Sequence, residues 1–418
     1  MVVIIGAGLA GLSCATRLAL HQIPFQIFEA SDQVGGRMRT DVVEGFRLDR
    51  GFQILLTAYP WAEKLLDFKT LELRPLQAGA LVWDGHALRR LSDPFRHPAQ
   101  IPATLGSHLP SLRDVPALVS LALRTLPFSS DTLLREREPS AEHSTQDDLL
   151  SLGISNRLRE QFFRPFFAGI FLERPLDTSS TFFRFLFKMF ATGSAVVPKL
   201  GMGEIPRLLA SQLPSGSIHL RHSVSGLEKQ KVTLASGESI EARAVVVATD
   251  GVAADRLLNR SQIRNWRATE CFWFAAPRSP LNENVLVLDG TGKGAINHLA
   301  VMSDVSESYA PPGKSLICAN VVEPFHLKDE LRRHAVVEQM EHWFGAQVRD
   351  WRLLRRDSIP HALPALNPDR PFKRDGIETQ GEGVFCCGDY LSLPSQEGAA
   401  SSGLHAADEV IRLLAQSG

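Results

Sequence analysis

The strongest constraint on the fold lies at the start of the chain. An apolar run, Val2 to Ile5, leads into Gly6-Ala7-Gly8-Leu9-Ala10-Gly11, after which Leu12, Ala15 and Ala19 recur at helical spacing. A strand, a glycine turn and a helix in that order make the first half of a βαβ unit, with glycines where such a unit needs them. Gly6 permits the tight turn, Gly8 leaves the backbone open to a closely approaching ligand, and Gly11 lets the helix pack on its strand. The helix N-terminus gathers unpaired N–H groups and partial positive charge, which suits a phosphate. The next strand, Phe25-Gln26-Ile27-Phe28, ends at Glu29, about 20 residues past the glycines, where a carboxylate accepts from a ribose 2′-hydroxyl. These residues predict a dinucleotide site for an unphosphorylated ribose.

At 418 residues the chain is long for one core, and two interlocked domains are expected. The text returns twice to strand and helix patterns that suit a parallel sheet. A β-meander from Ile218 runs through Val232 to Leu234 and Ile240 to Ala244 into Val245-Val246-Val247. Near the finish, a strand from Gly383 to Gly388 precedes a helix from Ser395 to Ala415. The predicted fold class is α/β, with a Rossmann-like domain over residues 1–65, 195–255 and 365–418, and an interleaved α+β substrate domain over 66–194 and 256–364. Glu136 to Asp148 is polar and reads as an exposed loop.

A formal net charge of -1 gives no electrostatic case for nucleic acid, and Arg352, Arg355 and Arg356 read as a solvated face. Five cysteines without a CxxC spacing argue against a disulfide framework and a zinc site, and a reducing cytoplasm is expected. His219 and His222, three apart in a strand-like stretch, are expected on opposite faces, so no metal site is predicted. With the first strand beginning at Val2, no leader peptide is expected, and no run of 18 apolar residues is present to span a bilayer. Peripheral membrane contact stays open. Residues 162–190 hold ten of the 23 phenylalanines. They read as packed helices or as an apolar tunnel wall, with Phe183 and Phe187 the candidate substrate contacts and the stems of Arg164, Arg184 and Lys188 covering apolar surface.

Beyond the ribose carboxylate, Gly35-Gly36-Arg37-Met38-Arg39-Thr40 resembles the flavoprotein extension of the fingerprint. In that resemblance Gly36 and Arg37 lie along the pyrophosphate, where arginine offers a planar donor fork. The whole chain resembles the flavin-dependent amine oxidase superfamily, which includes monoamine oxidases, protoporphyrinogen oxidase and carotenoid desaturases. Asp49-Arg50-Gly51-Phe52-Gln53-Ile54-Leu55-Leu56-Thr57-Ala58-Tyr59-Pro60 is similar to a segment of plant-type phytoene and ζ-carotene desaturases, and so is Gly388-Asp389-Tyr390 with Glu397-Gly398-Ala399. The resemblance implies non-covalent FAD. It places Asp389 at the ribityl–pyrophosphate region, the backbone of Val224 at adenine, and the helix entered by Glu397-Gly398-Ala399 with its N-terminus toward the flavin pyrimidine. Gly388 ends the strand before Asp389. Two departures bear on substrate: Ser395 stands where the amine oxidases carry a cage tyrosine, and Gln53 where the desaturases commonly have histidine.

The expected function is removal of hydride from a small, apolar, isoprenoid- or polyene-like substrate to flavin N5, a reaction in which the cofactor carries the chemistry and the protein binds and orients. Gln53, His298 and His361 are polar candidates, and none has a motif that assigns a base. The alternatives are an amine or protoporphyrinogen-type oxidase using oxygen, a redox-neutral polyene isomerase, and a scaffold that binds flavin without catalysis.

Overall fold

The computed structural model describes residues 1–92, 111–134, 142–260, 265–323, 329–369, 375–381 and 383–416. Val2–Ile5 lies inside a six-stranded sheet, paired in parallel with Phe25–Glu29 on one side and Ala244–Val247 on the other. Ile218–Leu220 extends the first flank and Val384–Cys387 the second, both in parallel, and Ile377–Thr379 closes that edge antiparallel. The inner strands are short runs of Val, Ile, Phe and Cys buried on both faces, as covered parallel strands must be. Alternation sends Val2, Ile4, Ala244 and Val246 toward the helices, and Val3, Ile5, Val245 and Val247 toward Val232 and Leu234 of a small antiparallel sheet.

The helices Leu9–Leu20 and Gln396–Gln416 pack together over the first face. Gly403 lies so close to the Ala10 carbonyl that any side chain would collide, and Arg17 Nε donates to Asp408 Oδ1 at 2.8 Å.

A second sheet of seven strands runs in the spatial order Arg352–Pro364, Trp266–Ala276, Ser315–Val322, His298–Val301, Leu286–Asp289, Gly79–Trp83 and Leu88–Ser92. Only the pair Leu286–Asp289 and Gly79–Trp83 is parallel. One face packs Phe272, Phe274 and Val321 against Val336, Met340 and Trp343 of the helix Asp329–Phe344. The helix Arg164–Phe171 lies against the other. It packs against Ser180–Thr192, whose first turn is capped by Ser179 Oγ accepting from Phe182 N at 3.4 Å. The fold is therefore α/β, a dinucleotide-type parallel sheet interleaved with an α+β layer.

Three readings need correction. The helix Thr145–Ser151 begins inside the stretch read as a loop, whose polar residues supply its Ser144 cap and Asp148, which is buried and ion-paired with Arg184. Residues 135–141 lie outside the described residues. The cations of the phenylalanine region are also tied down rather than extended into water: Arg164 Nε donates to Glu160 at 2.6 Å and Lys188 Nζ to the Leu126 carbonyl at 2.8 Å. Of the arginine cluster, only Arg352 is a surface residue; Arg355 Nη1 donates to Asp41 at 2.8 Å and Arg356 Nη2 to the buried Glu270 at 2.6 Å.

Candidate active site

A single cavity of about 2030 Å³ runs from the glycine turn to the phenylalanine helices. One ligand of ordinary size needs roughly 300–1,000 Å³, so the cavity has room for a dinucleotide and a second molecule.

The glycine turn forms one end of the cavity. Gly6 has φ +104°, which favours glycine, and a side chain on Gly11 would run into the Gly6 carbonyl. At Gly8, by contrast, a Cβ would meet nothing within 4 Å, and the open direction is cavity. Gly36, at φ +59°, faces Gly8, and a Cβ there would stand 3.5 Å from the Gly8 Cα. Glu29 Oε2 accepts from Ala7 N at 2.8 Å, while Oε1 accepts from Ser31 N at 2.8 Å and Ser31 Oγ at 2.7 Å. These bonds fix the carboxylate at the mouth of the turn, and Val224 stands on the same wall. An open backbone at a helix N-terminus beside a fixed carboxylate fits a dinucleotide. His219 and His222 do not diverge: the strand stops at Leu220, and Arg221 at φ +60° turns the chain, so both rings lie beside Phe28, at 5.0 and 6.3 Å.

Residues from both ends of the sequence meet farther along. Arg37 Nη2 donates to Asp389 Oδ1 at 2.6 Å and Nη1 to the Ala362 carbonyl at 2.8 Å. Asp389 is buried, so the half-open guanidinium supplies its countercharge and stays on the cavity wall. Gly388 N donates to Ser402 Oγ at 2.9 Å, which joins the strand end to the following helix.

At the start of that helix Ser395 Oγ accepts from Gly398 N at 3.1 Å, and Ser395, Gln396 and Ala399 line the cavity. Glu397 and Gly398 do not. Gly398 lies against the Leu393 carbonyl, and Glu397 turns inward, where Oε2 accepts from Trp61 N at 3.2 Å.

Burial pushes the Glu397 carboxyl up from 4.5 to about 7. A carboxyl raised in the folded state favours the protonated protein, so its contribution to stability is full below about pH 4.5 and is lost as pH rises through 7. Glu397→Gln should flatten that dependence and make the variant more stable at pH 8, by on the order of 3 kcal/mol. Thermal unfolding across pH 4 to 8 checks it, and parallel curves for the two proteins would contradict the assignment.

Phe162, Phe163, Phe166, Phe167, Phe187 and Phe190 line the far end. Phe183 is not among them. It faces the same direction as Phe187, but its ring is covered by those of Phe167 at 4.8 Å and Phe163 at 6.4 Å, leaving it fully buried. Gln53 lies on the wall, and its Nε2 is occupied by the carbonyls of Arg37 at 2.9 Å and Arg50 at 2.8 Å, which makes it a brace for the loop. His298 and His361 both reach the cavity, the latter beside Trp266 at 5.4 Å. The sequence reading passed over Phe52, Tyr59 and Gln396 as wall residues, although all three sit inside or beside segments it had singled out.

The model of the flavin-containing amine oxidoreductase family matches residues 9–411. Among curated proteins, the chain is 29% identical over 99 residues to 4,4'-diaponeurosporene oxygenase of Staphylococcus haemolyticus, a match covering 22% of this chain and 20% of that one. It is 44% identical over 54 residues to 4,4'-diapolycopene oxygenase of Methylomonas sp., covering 13% and 11% respectively. The chain thus spans about a fifth or less of the length of these relatives. Among solved structures, an oxidoreductase from Methanosarcina mazei superposes with a TM-score of 0.74 at 19% identity over 98% of this chain and 99% of that one, a likeness of fold. The match to the family model runs from the glycine turn to the last helix, and the chain belongs to the flavin-containing amine oxidoreductase family.

Proposed function

We propose that the protein is an FAD-dependent oxidoreductase that removes hydride from an apolar, isoprenoid- or polyene-like substrate. The observation that carries this reading is the continuity of one cavity from Gly8 to the phenylalanine helices, which leaves an apolar chamber beside the cofactor end. FAD, when bound, supplies the hydride acceptor. Gly8 and Gly36 would admit its pyrophosphate, Glu29 would accept from its ribose, and the backbone of Val224 would meet its adenine. Arg37 and Asp389, which neutralise each other, would hold the phosphate region, while the N-terminus of Gln396–Gln416 would offer the flavin pyrimidine a positive dipole end. The phenylalanine wall binds by burial, at roughly 25 cal/mol per Å² of apolar surface, and excludes water.

The helix Val115–Thr125 suggests how such a substrate arrives. Val115, Val119 and Leu123 are exposed along it and Leu112 just before it, Val115 and Val119 line the cavity as well, and among the described residues 111–125 the exposed charges are Arg113 and Arg124. An apolar stripe bordered by cations suits the surface of an anionic bilayer.

Anaerobic mixing of the purified holoprotein with polyenes in anionic vesicles tests both readings. The flavin absorbance should bleach, and Leu123→Glu, on the exposed stripe but not on the cavity wall, should slow bleaching from vesicles without changing that from detergent solution. Isomerised polyene without bleaching would favour the redox-neutral alternative. Inertness toward every apolar substrate, or bleaching by amines alone, would overturn the proposal.

A further inference from the structure

The nucleotide end of the cavity has a wall that no motif announces. Phe28, Glu29 and Val224 are joined there by Ala253, Arg256 and Leu257 of the helix Gly251–Leu257. Residues three and four apart share one helix face, so a single face of this helix is turned to the cavity. The helix is held firmly. Asp250 Oδ1 caps its start, accepting from Val252 N at 2.9 Å and Ala253 N at 3.0 Å, while Ala254 and Leu257 belong to the apolar cluster of Val245, Val247 and Val232. Its backbone is therefore fixed, and the side chain of Arg256 is exposed.

Five arginines line the cavity: Arg37, Arg50, Arg256, Arg355 and Arg356. Four of them answer to carboxylates. Arg37 is paired with Asp389, Arg355 with Asp41 and Arg356 with Glu270, and Arg50 Nε lies 3.7 Å from Asp41. Arg256 has no such pair among the described residues, and Asp255, beside it in sequence, is taken by Arg260 Nε at 2.7 Å. Its guanidinium is not spent on holding the wall together.

The order of groups along the wall sets what this cation can meet. Gly8, Gly36 and Arg37 stand where a pyrophosphate would approach and Glu29 where a ribose would. Arg256 stands on the stretch shared with Val224, because its helix lies against the strand Val224–Glu228. A purine at that position offers a flat π face, and a guanidinium, planar and weakly hydrated, lies on such faces.

We propose that Arg256 covers the adenine of FAD with its guanidinium plane, and that this contact makes the chain select FAD over FMN. The proposal rests on the reading of Gly8, Glu29 and Val224 as the cofactor end. Arg256 is then a binding residue for the half of the cofactor that takes no part in hydride transfer.

The test uses the full chain stripped of flavin, titrated with FAD and with FMN by quenching of flavin fluorescence. The native chain should bind FAD at least about 10-fold more tightly than FMN. Arg256→Ala should weaken FAD about 10-fold and leave FMN unchanged. Arg256→Lys, which keeps the charge and loses the plane, should recover only part of the difference, and Arg256→Gln covers the case in which alanine disturbs the helix. Unchanged FAD affinity in Arg256→Ala and Arg256→Gln would overturn the assignment. So would an equal loss for FMN, or full recovery by lysine, since the contact would then be with a phosphate rather than a ring. Binding of neither flavin by the native chain would overturn the FAD reading itself and this proposal with it.

Discussion

Gly8→Val should give a folded and colourless protein. Gly8 has ordinary extended dihedrals, φ -74° and ψ -177°, so valine brings no backbone strain there, and a Cβ meets no atom within 4 Å. Its methyls project into the cavity where a pyrophosphate would approach the helix N-terminus. Flavin occupancy should fall by at least about 100-fold, the loss expected when a close backbone–phosphate approach is blocked at a helix N-terminus. Thermal unfolding of the flavin-free protein should stay unchanged. Gly11→Val is the contrast: its side chain collides with the Gly6 carbonyl, and the fold itself should fail. A yellow Gly8→Val protein with full FAD content would remove the glycine turn from the cofactor site.

Aspartate at Phe183 and at Phe187 should produce opposite defects. Phe183 is fully buried among the rings of Phe163, Phe167 and Phe187. Removing that ring costs about 3–5 kcal/mol, and burying a carboxylate adds several more, against a total stability of about 5–15 kcal/mol for a domain. Phe183→Asp should not fold. Phe187 is only partly buried, and its ring lines the cavity, so Phe187→Asp should keep its circular dichroism and flavin while losing apolar ligands by roughly 100-fold or more. Two folded variants that both bind normally would place the substrate elsewhere. Two unfolded ones would make the whole phenylalanine region a packing core.

How much of this was legible depended on how local the cause was. The opening strand, turn and helix were readable because glycine sterics and apolar periodicity act within a few residues, and the C-terminal strand and helix lie within a residue or so of their expected bounds. Composition marked Ser180–Thr192 as apolar, and of the two rings singled out on it only Phe187 lines the cavity, beside Phe182, Leu186 and Phe190. It had no means of telling that the ring of Phe183 is covered from across the interface while that of Phe187 is not. The motif likewise located the last helix but not the direction of Glu397, which is set by a hydrogen bond to Trp61 N, 336 residues away. His219 and His222 were misplaced by one non-glycine residue at positive φ, which a strand pattern does not announce. His298 is the extreme case: no motif surrounds it, and its setting comes from Asn297 beside it in sequence together with Gly169 and Pro165 from a remote helix.

The contact between the first and last helices also dictates a schedule. The Arg17–Asp408 bond joins residues 391 apart, and the Arg37–Asp389 bond residues 352 apart. At about 5–20 residues per second, a ribosome needs roughly 20–80 s to make that intervening stretch. For all that time the fingerprint helix has been synthesised and the partner that covers its apolar side has not. Contacts this remote also fold slowly, because loop closure comes before any gain from packing. The newborn chain therefore carries an unfinished nucleotide fold with an exposed hydrophobic flank until the helix Gln396–Gln416 emerges, and only from that moment can the two halves of the site stand together.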